Sequence, residues 1–287
     1  AAPPAYAKAH LLVDRGNKDM PVAIRGDLRK PGEPAPRRFL QIVAGENPPL
    51  FKDGSGRRQL AEAVTDPSNA LTARVIVNRV WQHHFGQALV RTPSNFGMLG
   101  EKPTHPELLD WLASTLMENG WSLKKLHRLI LLSSTWQMSS QYRAEAFAKD
   151  GENRLLWRMN PRKLEVESWR DSMLAVTGEL DRALGGTPTD RILESSRRTL
   201  YGKVSRNGDR FLSDEFLRLF DFPAPRSTSE QRTASTVPRQ HLFMMNSAFM
   251  AARAQALSAR LQRESNDDRA RIARAYQLLY SRTPAAD

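Results

Sequence analysis

The chain has 287 residues, with 43 Lys and Arg against 31 Asp and Glu, a formal charge of +12 and 40% hydrophobic residues. That balance supplies apolar material for one large core or two modest ones and excludes global disorder. Cysteine is absent, which excludes disulfides, thiolate nucleophiles, Cys-ligated zinc, iron–sulfur clusters and covalent haem attachment within this chain.

Residues 1–56 are rich in Pro, Gly and charge and read as an extended arm laid over a helical body, 57–287. Pro31 to Pro36 excludes a helix interior, and Val22-Ala23-Ile24 reads as a short strand. Arg25-Gly26-Asp27 spells an integrin tripeptide, but a turn after a short strand explains it better. The helices begin at Arg57. The first runs to Thr65 and stops at Asp66-Pro67. The second spans Ala70 to Phe85, with Asn69 as N-cap and Gly86 beyond its end. Thr104-His105-Pro106-Glu107 reads as a capping box with the Thr hydroxyl at the N-cap, opening a helix through Asn119 with Leu108, Leu109, Leu112, Leu116 and Met117 as its buried stripe. Ser122 caps a helix over Leu123 to Leu132.

The pattern from Pro161 to about Leu184 predicts the longest helix, closed by Gly185-Gly186. Thr199 to Val204 reads as a strand and Ser213 to Phe220 as a short helix. A long irregular segment runs from Phe222 through Pro238. Helices over roughly Gln240 to Arg263 and Asp267 to Tyr280 complete the chain. The expected fold is mainly α: an irregular multi-helix domain, single overall, with a minor short-stranded β element and an extended N-terminal arm. No run of 18 apolar residues is present, so no transmembrane helix is expected. Ala1-Ala2-Pro3-Pro4 lacks the pattern of a signal peptide, and both ends read as cuts in a longer protein.

A basic surface attracts nucleic acid, acidic lipid, or sulfated and carboxylated polysaccharide. The densest excess, Arg191 to Arg210, holds six basic and two acidic residues, and a solvated surface accounts for such spread charge most plainly. No RRM, KH or zinc-finger pattern supports nucleic-acid binding.

The histidines are His10, His83, His84, His105, His127 and His241. Metal ligation on a helix needs an i, i+3 or i, i+4 pair on one face, whereas adjacent His83 and His84 point about 100° apart. No metal site is expected. GxSxG, P-loop and GxGxxG patterns are absent. Glu165 and Glu167 lie two apart, on different faces of a helix. Polar residues set in apolar context stand out more: Asn78 and Arg79 inside a Val-rich helix, the loop Arg91 to Gly97, Arg162 and Arg170, and Arg232, Gln240 and Asn246. Buried Arg and Asn most often fix loop backbones. Asn78, Arg79, His83, Arg91, Ser94 and Arg232 are the candidate ligand-binding residues.

Several of these stretches together resemble a planctomycete-specific domain family of unknown function. The resemblance runs through Val77-Asn78-Arg79-Val80-Trp81-Gln82-His83-His84-Phe85-Gly86, Leu89 to Gly97, Thr104 to Ala113, Gly120 to Lys124 and Asn160-Pro161-Arg162-Lys163-Leu164. It continues in Phe220-Asp221-Phe222-Pro223, Ser229 to Arg232, Thr236-Val237-Pro238 and Met245-Asn246-Ser247. Val22 to Asp27 with Pro31-Gly32-Glu33 matches the family's opening. The resemblance implies the C-terminal part of a long exported protein, hence an extracytoplasmic setting. It also implies upstream domains that include a cytochrome-c type, so haem c belongs elsewhere in the parent chain. It carries no catalytic residues. The expected function is a non-catalytic binding or scaffolding module that takes an anionic polysaccharide or a redox partner. The alternative is an enzyme acting on polysaccharide or its decorations through a pocket of Arg79, His83, Arg91 and Arg232.

Overall fold

A computed structural model describes residues 11–14, 16 and 18–285. His10 and the Ala1 to Pro4 opening lie outside the described residues. The chain divides into two compact units, Ala1–Asn160 and Pro161–Asp287. Among the described residues, eleven α-helices and one two-stranded sheet make the fold mainly α, as the sequence pattern predicts.

The first unit opens with strands β1 (Met20–Ala23) and β2 (Pro31–Ala35), which pair antiparallel. Arg25 and Gly26 take positive φ between them, so Arg25-Gly26-Asp27 is the hairpin's turn. Helices α1 (Gln41–Ala44), α2 (Arg57–Thr65), α3 (Ala70–Phe85), α4 (Pro106–Glu118), α5 (Leu123–Leu131) and α6 (Ala144–Lys149) follow. The Asn69 side chain accepts from Leu71 N to start α3, and Gly86 closes it at φ 79°. Ser122 caps α5. The capping box at α4 does not form. The N-cap is His105, because Thr104 turns away to Leu89: its backbone N donates to the Leu89 carbonyl at 2.9 Å, and its hydroxyl leans the same way.

The core of this unit packs Val77, Trp81 and Phe85 of α3 against Leu109, Leu112 and Leu116 of α4, with Leu126 and Ile130 of α5 beneath. Each such side chain contributes about 1.5–3 kcal/mol on burial. Trp81 stacks on Phe85 with ring centroids 4.1 Å apart. Within this apolar layer sits Asn78, 0% exposed. Its Nδ2 donates to Val90 O at 3.0 Å, and its Oδ1 accepts from Val90 N at 2.8 Å. One amide thus satisfies both backbone groups of a residue twelve positions on, and fixes the start of the loop that carries Arg91 to Gly97.

The second unit contains α7 (Val166–Thr177), α8 (Leu212–Leu219), α9 (Pro238–Asn246), α10 (Ala248–Glu264) and α11 (Asp268–Tyr280). The long helix read from Pro161 is shorter. Glu165 is still extended, and Gly178 adopts the left-handed region at φ 82°, ending α7 well before Gly185. The longest helix is α10. The span from Gln240 to Arg263 is two helices broken at Ser247, whose hydroxyl accepts from Met250 N and starts α10 afresh. Thr199 to Tyr201 forms a 3-10 turn instead of a strand, with only isolated bridges on either side. Trp169, Phe216, Phe220 and Phe243 form an aromatic cluster. Arg260 donates to the Ala175 and Val176 carbonyls at the end of α7, a cation placed where the helix dipole is negative.

Asn78→Ala leaves Val90 N and Val90 O buried without partners. Each orphaned group costs about 1–3 kcal/mol, so stability in urea denaturation should fall by roughly 2–4 kcal/mol. Asn78→Asp should fare little better, because it turns an oxygen toward the Val90 carbonyl. A loss below about 1 kcal/mol for both would show that the loop does not depend on this amide.

Candidate functional site

Of the six sequence-nominated side chains, five belong to the first unit and Arg232 to the second. In the first unit Asn78 is spent on Val90, as above. Arg79, His83 and Ser94 lie at the surface. Arg91 donates to the Glu152 carboxylate at 3.1 Å and to the Glu152 carbonyl at 3.2 Å, which ties its loop to residues 150–160. There Asn153 donates to Arg158 O and to Asn160 Oδ1. Asn160 in turn donates to Phe85 O at 3.0 Å, satisfying a carbonyl left open at the end of α3. His84 and His127 meet at 2.8 Å between ring nitrogens, edge-on to Trp136. No group of three His, Asp or Glu side chains among the described residues is placed to hold a metal ion.

Arg232 belongs to the second unit and is engaged there. It grips Glu167 with two bonds of 2.8 Å and reaches Glu165 at 3.3 Å. Burial pushes the Glu167 carboxyl up, but the hydrogen bonds from Arg232, a backbone hydrogen bond and the Arg232 charge together outweigh it and hold the group below its ordinary value.

Each unit holds a cleft. One, of about 320 Å³, lies in the first unit between the end of α4 and α5, lined by Thr115, Asn119, Ser122, Lys125, Arg128 and Leu129 among others. None of its lining side chains holds a buried polar atom without a partner, among the described residues. The other, of about 480 Å³, lies in the second unit and is lined by Glu179, Glu194, Ser195, Ser196, Ser247 and Arg253, with Phe249 and other apolar groups between them. Both volumes fall in the range of small-molecule pockets. The second differs in its chemistry.

That cleft is built from behind by Arg170, whose side chain is 0% exposed. Its guanidinium donates to Arg197 O at 2.9 Å and Thr199 Oγ1 at 3.1 Å, and also to Ile192 O and Ser195 O. Those contacts pin the irregular run 192–199, and with it the wall formed by Glu194, Ser195 and Ser196. Burial lowers the Arg170 pKa to about 10, opposed by Asp171 and assisted by Arg253, so the group stays charged at neutral pH. Its Cζ sits 5.8 Å from the Phe249 ring and that of Arg253 5.1 Å from the same ring, so one phenyl is in contact with two cations. Arg253 meets Glu179 at 3.1 Å, one nitrogen to one oxygen. The other carboxylate oxygen, Glu179 Oε2, and Arg253 Nε are buried and make no hydrogen bond. The N-terminus of α10, at Ser247 and Ala248, also borders the cleft, and its backbone N–H groups favour negative charge.

Sequence reasoning singled out Arg170 but missed Arg253 and Glu179. A signal for Arg253 exists: it follows Phe249 by four residues within an Ala-rich helix, a cation on the apolar side. Glu179 carried none, because its position depends on the left-handed turn at Gly178.

A family model described as PSD1, a protein of unknown function (DUF1553), matches residues 56–287. No curated protein and no solved structure matches the chain.

Arg170→Met removes four donated bonds and orphans the Ser195 and Arg197 carbonyls, since Ile192 O keeps the Ser195 N–H, so it should cost on the order of 3 kcal/mol in urea denaturation. Arg170→Lys should recover only part, since an ammonium lacks the planar fork. Wild-type stability with Met at this position would mean that the buried cation does not organise the unit. A second outcome concerns pH. The Glu167 carboxyl is depressed in the folded chain, so its pairing stabilises above the unfolded value of about 4.3 and fades as pH falls through the folded value. The stability gap between wild type and Arg232→Gln should therefore be widest near neutrality and close as pH falls through the depressed folded-state value of Glu167. A gap that persists in acid would assign the Arg232 effect instead to its packing on Phe222, whose ring centroid lies 5.2 Å from the guanidinium carbon.

Proposed function

The chain belongs to the PSD1 family of unknown function, which prescribes no chemistry, and we propose that it is a non-catalytic binding module that holds an anionic polymer of the acidic-polysaccharide class. The observation that carries this reading is the second-unit cleft, where Arg253 and the start of α10 stand in front of a buried, charged Arg170. A site backed by fixed positive charge selects negative ligands and strengthens their binding where water is excluded. The net charge of +12 extends the same bias over the surface.

Binding is favoured over turnover by what the lining hydroxyls do. Ser195 Oγ accepts from Arg197 N, and Ser247 Oγ accepts from Met250 N. No histidine among the described residues lines the cleft to activate either one. Arg91 and Arg232, two residues on which an enzymatic reading would draw, are each committed to a carboxylate within their own unit. An extracytoplasmic setting, in a haem-associated multidomain parent, is part of the proposal. It is supported by the sequence resemblance, and no helix among the described residues is long and apolar enough to cross a membrane.

Thermal unfolding of the chain, with polygalacturonate, a neutral glucan and duplex DNA in turn, checks the reading at about 0.15 and 1 M salt, where the screening length drops from about 8 to about 3 Å. A ligand specific for the folded state raises the midpoint. The expected result is a rise with polygalacturonate that survives high salt, and none with the glucan. Equal rises with polygalacturonate and DNA that vanish at high salt, or no rise at all, would reduce the basic charge to bulk electrostatics.

A further inference from the structure

The cleft of the first unit, of about 320 Å³, runs between the end of α4 and α5. Lys125, Arg128 and Leu129 of α5 line it, with Leu132 at that helix's C-cap. The steps from Lys125 to Arg128 and Leu129, and from both of these to Leu132, are of three or four residues, so one stripe of α5 faces the cleft. Leu116 of α4 and Leu126, 1% and 2% exposed, supply its buried side, whereas Leu132 is 65% exposed. The neutral polar groups of the lining are engaged within their own turns. Asn119 Nδ2 donates to Thr115 O at 2.9 Å, and Ser122 Oγ accepts from Lys125 N at 3.4 Å. The two cations are not engaged. Lys125 and Arg128 are exposed, and neither side chain makes a hydrogen bond or ion pair among the described residues. Elsewhere in this unit Arg74, Arg91 and Arg154 each meet a carboxylate. No Asp or Glu among the described residues lines this cleft. Its lining therefore joins leucines to two uncompensated positive charges, whose stems lie along apolar surface while their heads reach water.

We propose that this cleft is a binding site for an amphipathic monoanion, an unbranched alkyl carboxylate of medium length. The alkyl chain lies on Leu116, Leu126, Leu129 and Leu132, and the carboxylate accepts from Lys125 and Arg128. A neutral hydrocarbon would cover the leucines but leave both cations without a counter-charge. A small inorganic anion would meet the cations but leave Leu132 in water. An alkyl cation would be repelled. At roughly 30 Å³ per heavy atom, the share of a water molecule in the liquid, the volume holds about ten heavy atoms, or about eight carbons and two oxygens. The site lies in the other unit from the polyanion cleft, and neither assignment depends on the other.

The test is calorimetric titration of the whole chain with octanoate, butanoate, acetate, octan-1-ol and octylammonium. Wild type is compared with Lys125→Gln, Arg128→Gln, the double variant of these two, and Leu132→Ser. All three side chains are exposed, so the fold is expected to hold, which circular dichroism registers. Octanoate should bind, octan-1-ol about tenfold more weakly, and acetate and octylammonium not measurably. Affinity should rise about threefold to fourfold per added methylene until the cleft is full. Each single charge variant should lose about threefold and the double variant about tenfold in octanoate affinity, the size of one and of two partly exposed ion pairs. Leu132→Ser should lose about tenfold through the alkyl chain. Equal binding of octanoate and octan-1-ol, or unchanged octanoate affinity in the folded double variant and in Leu132→Ser, overturns the proposal. Failure of octanoate to bind overturns it as well. Sedimentation of the chain, alone and with phosphatidylglycerol vesicles, then tells whether a second copy or a lipid surface covers this face, by a dimer or a vesicle association that Leu132→Ser abolishes.

Discussion

Arg170 is a cation with no solvent exposure, and the irregular half of its unit is arranged around the need to satisfy it. An unpaired guanidinium in an apolar interior is far too costly to persist. Here it is offset by the carbonyls of Ile192, Ser195 and Arg197, the hydroxyl of Thr199 and the nearby carboxylate of Asp171. Those acceptors come from a stretch with almost no regular secondary structure, only two 3-10 turns. A run of chain that makes few backbone hydrogen bonds with itself is thereby given one shape. The wall of the cleft is a product of that constraint.

The first unit solves the same problem with amides instead of a charge. Asn78 meets both backbone groups of Val90, and Asn160 meets an open carbonyl at the end of α3. Asn153 bridges the turn between them. Asn78, Arg91 and Asn160, which lie in the segments that carry the family resemblance, thus hold loops against helices. Their identity is demanded by hydrogen-bond geometry that no apolar residue can supply. A strong signature in the sequence and a ligand site need not coincide.

Helix positions were legible where a cap and a stop residue flank a periodic apolar run, as at Asn69 and Gly86 around α3, or Ser122 before α5. They failed where the outcome hung on a competing partner. Thr104 has the sequence context of an N-cap, yet its backbone pairs with the Leu89 carbonyl, fifteen residues away. The pattern after Pro161 continues past Gly178 on paper, but a glycine in the left-handed region ends the helix there. Ser247 divides what reads as one helix, because its hydroxyl serves better as a cap than as an interior residue.

The amino-acid sequence by itself determined the helical class, the basic surface, the absence of thiol chemistry and the family, since composition and local periodicity do not depend on which distant segments meet. Only the tertiary structure decided that Arg170 would be fully buried. The same is true of Glu179 and Arg253, 74 positions apart, which meet through one oxygen and one nitrogen and leave two buried atoms open. The physical reason is that a side chain's burial and partners are set by long-range packing, and local sequence carries no record of what lies across a cavity.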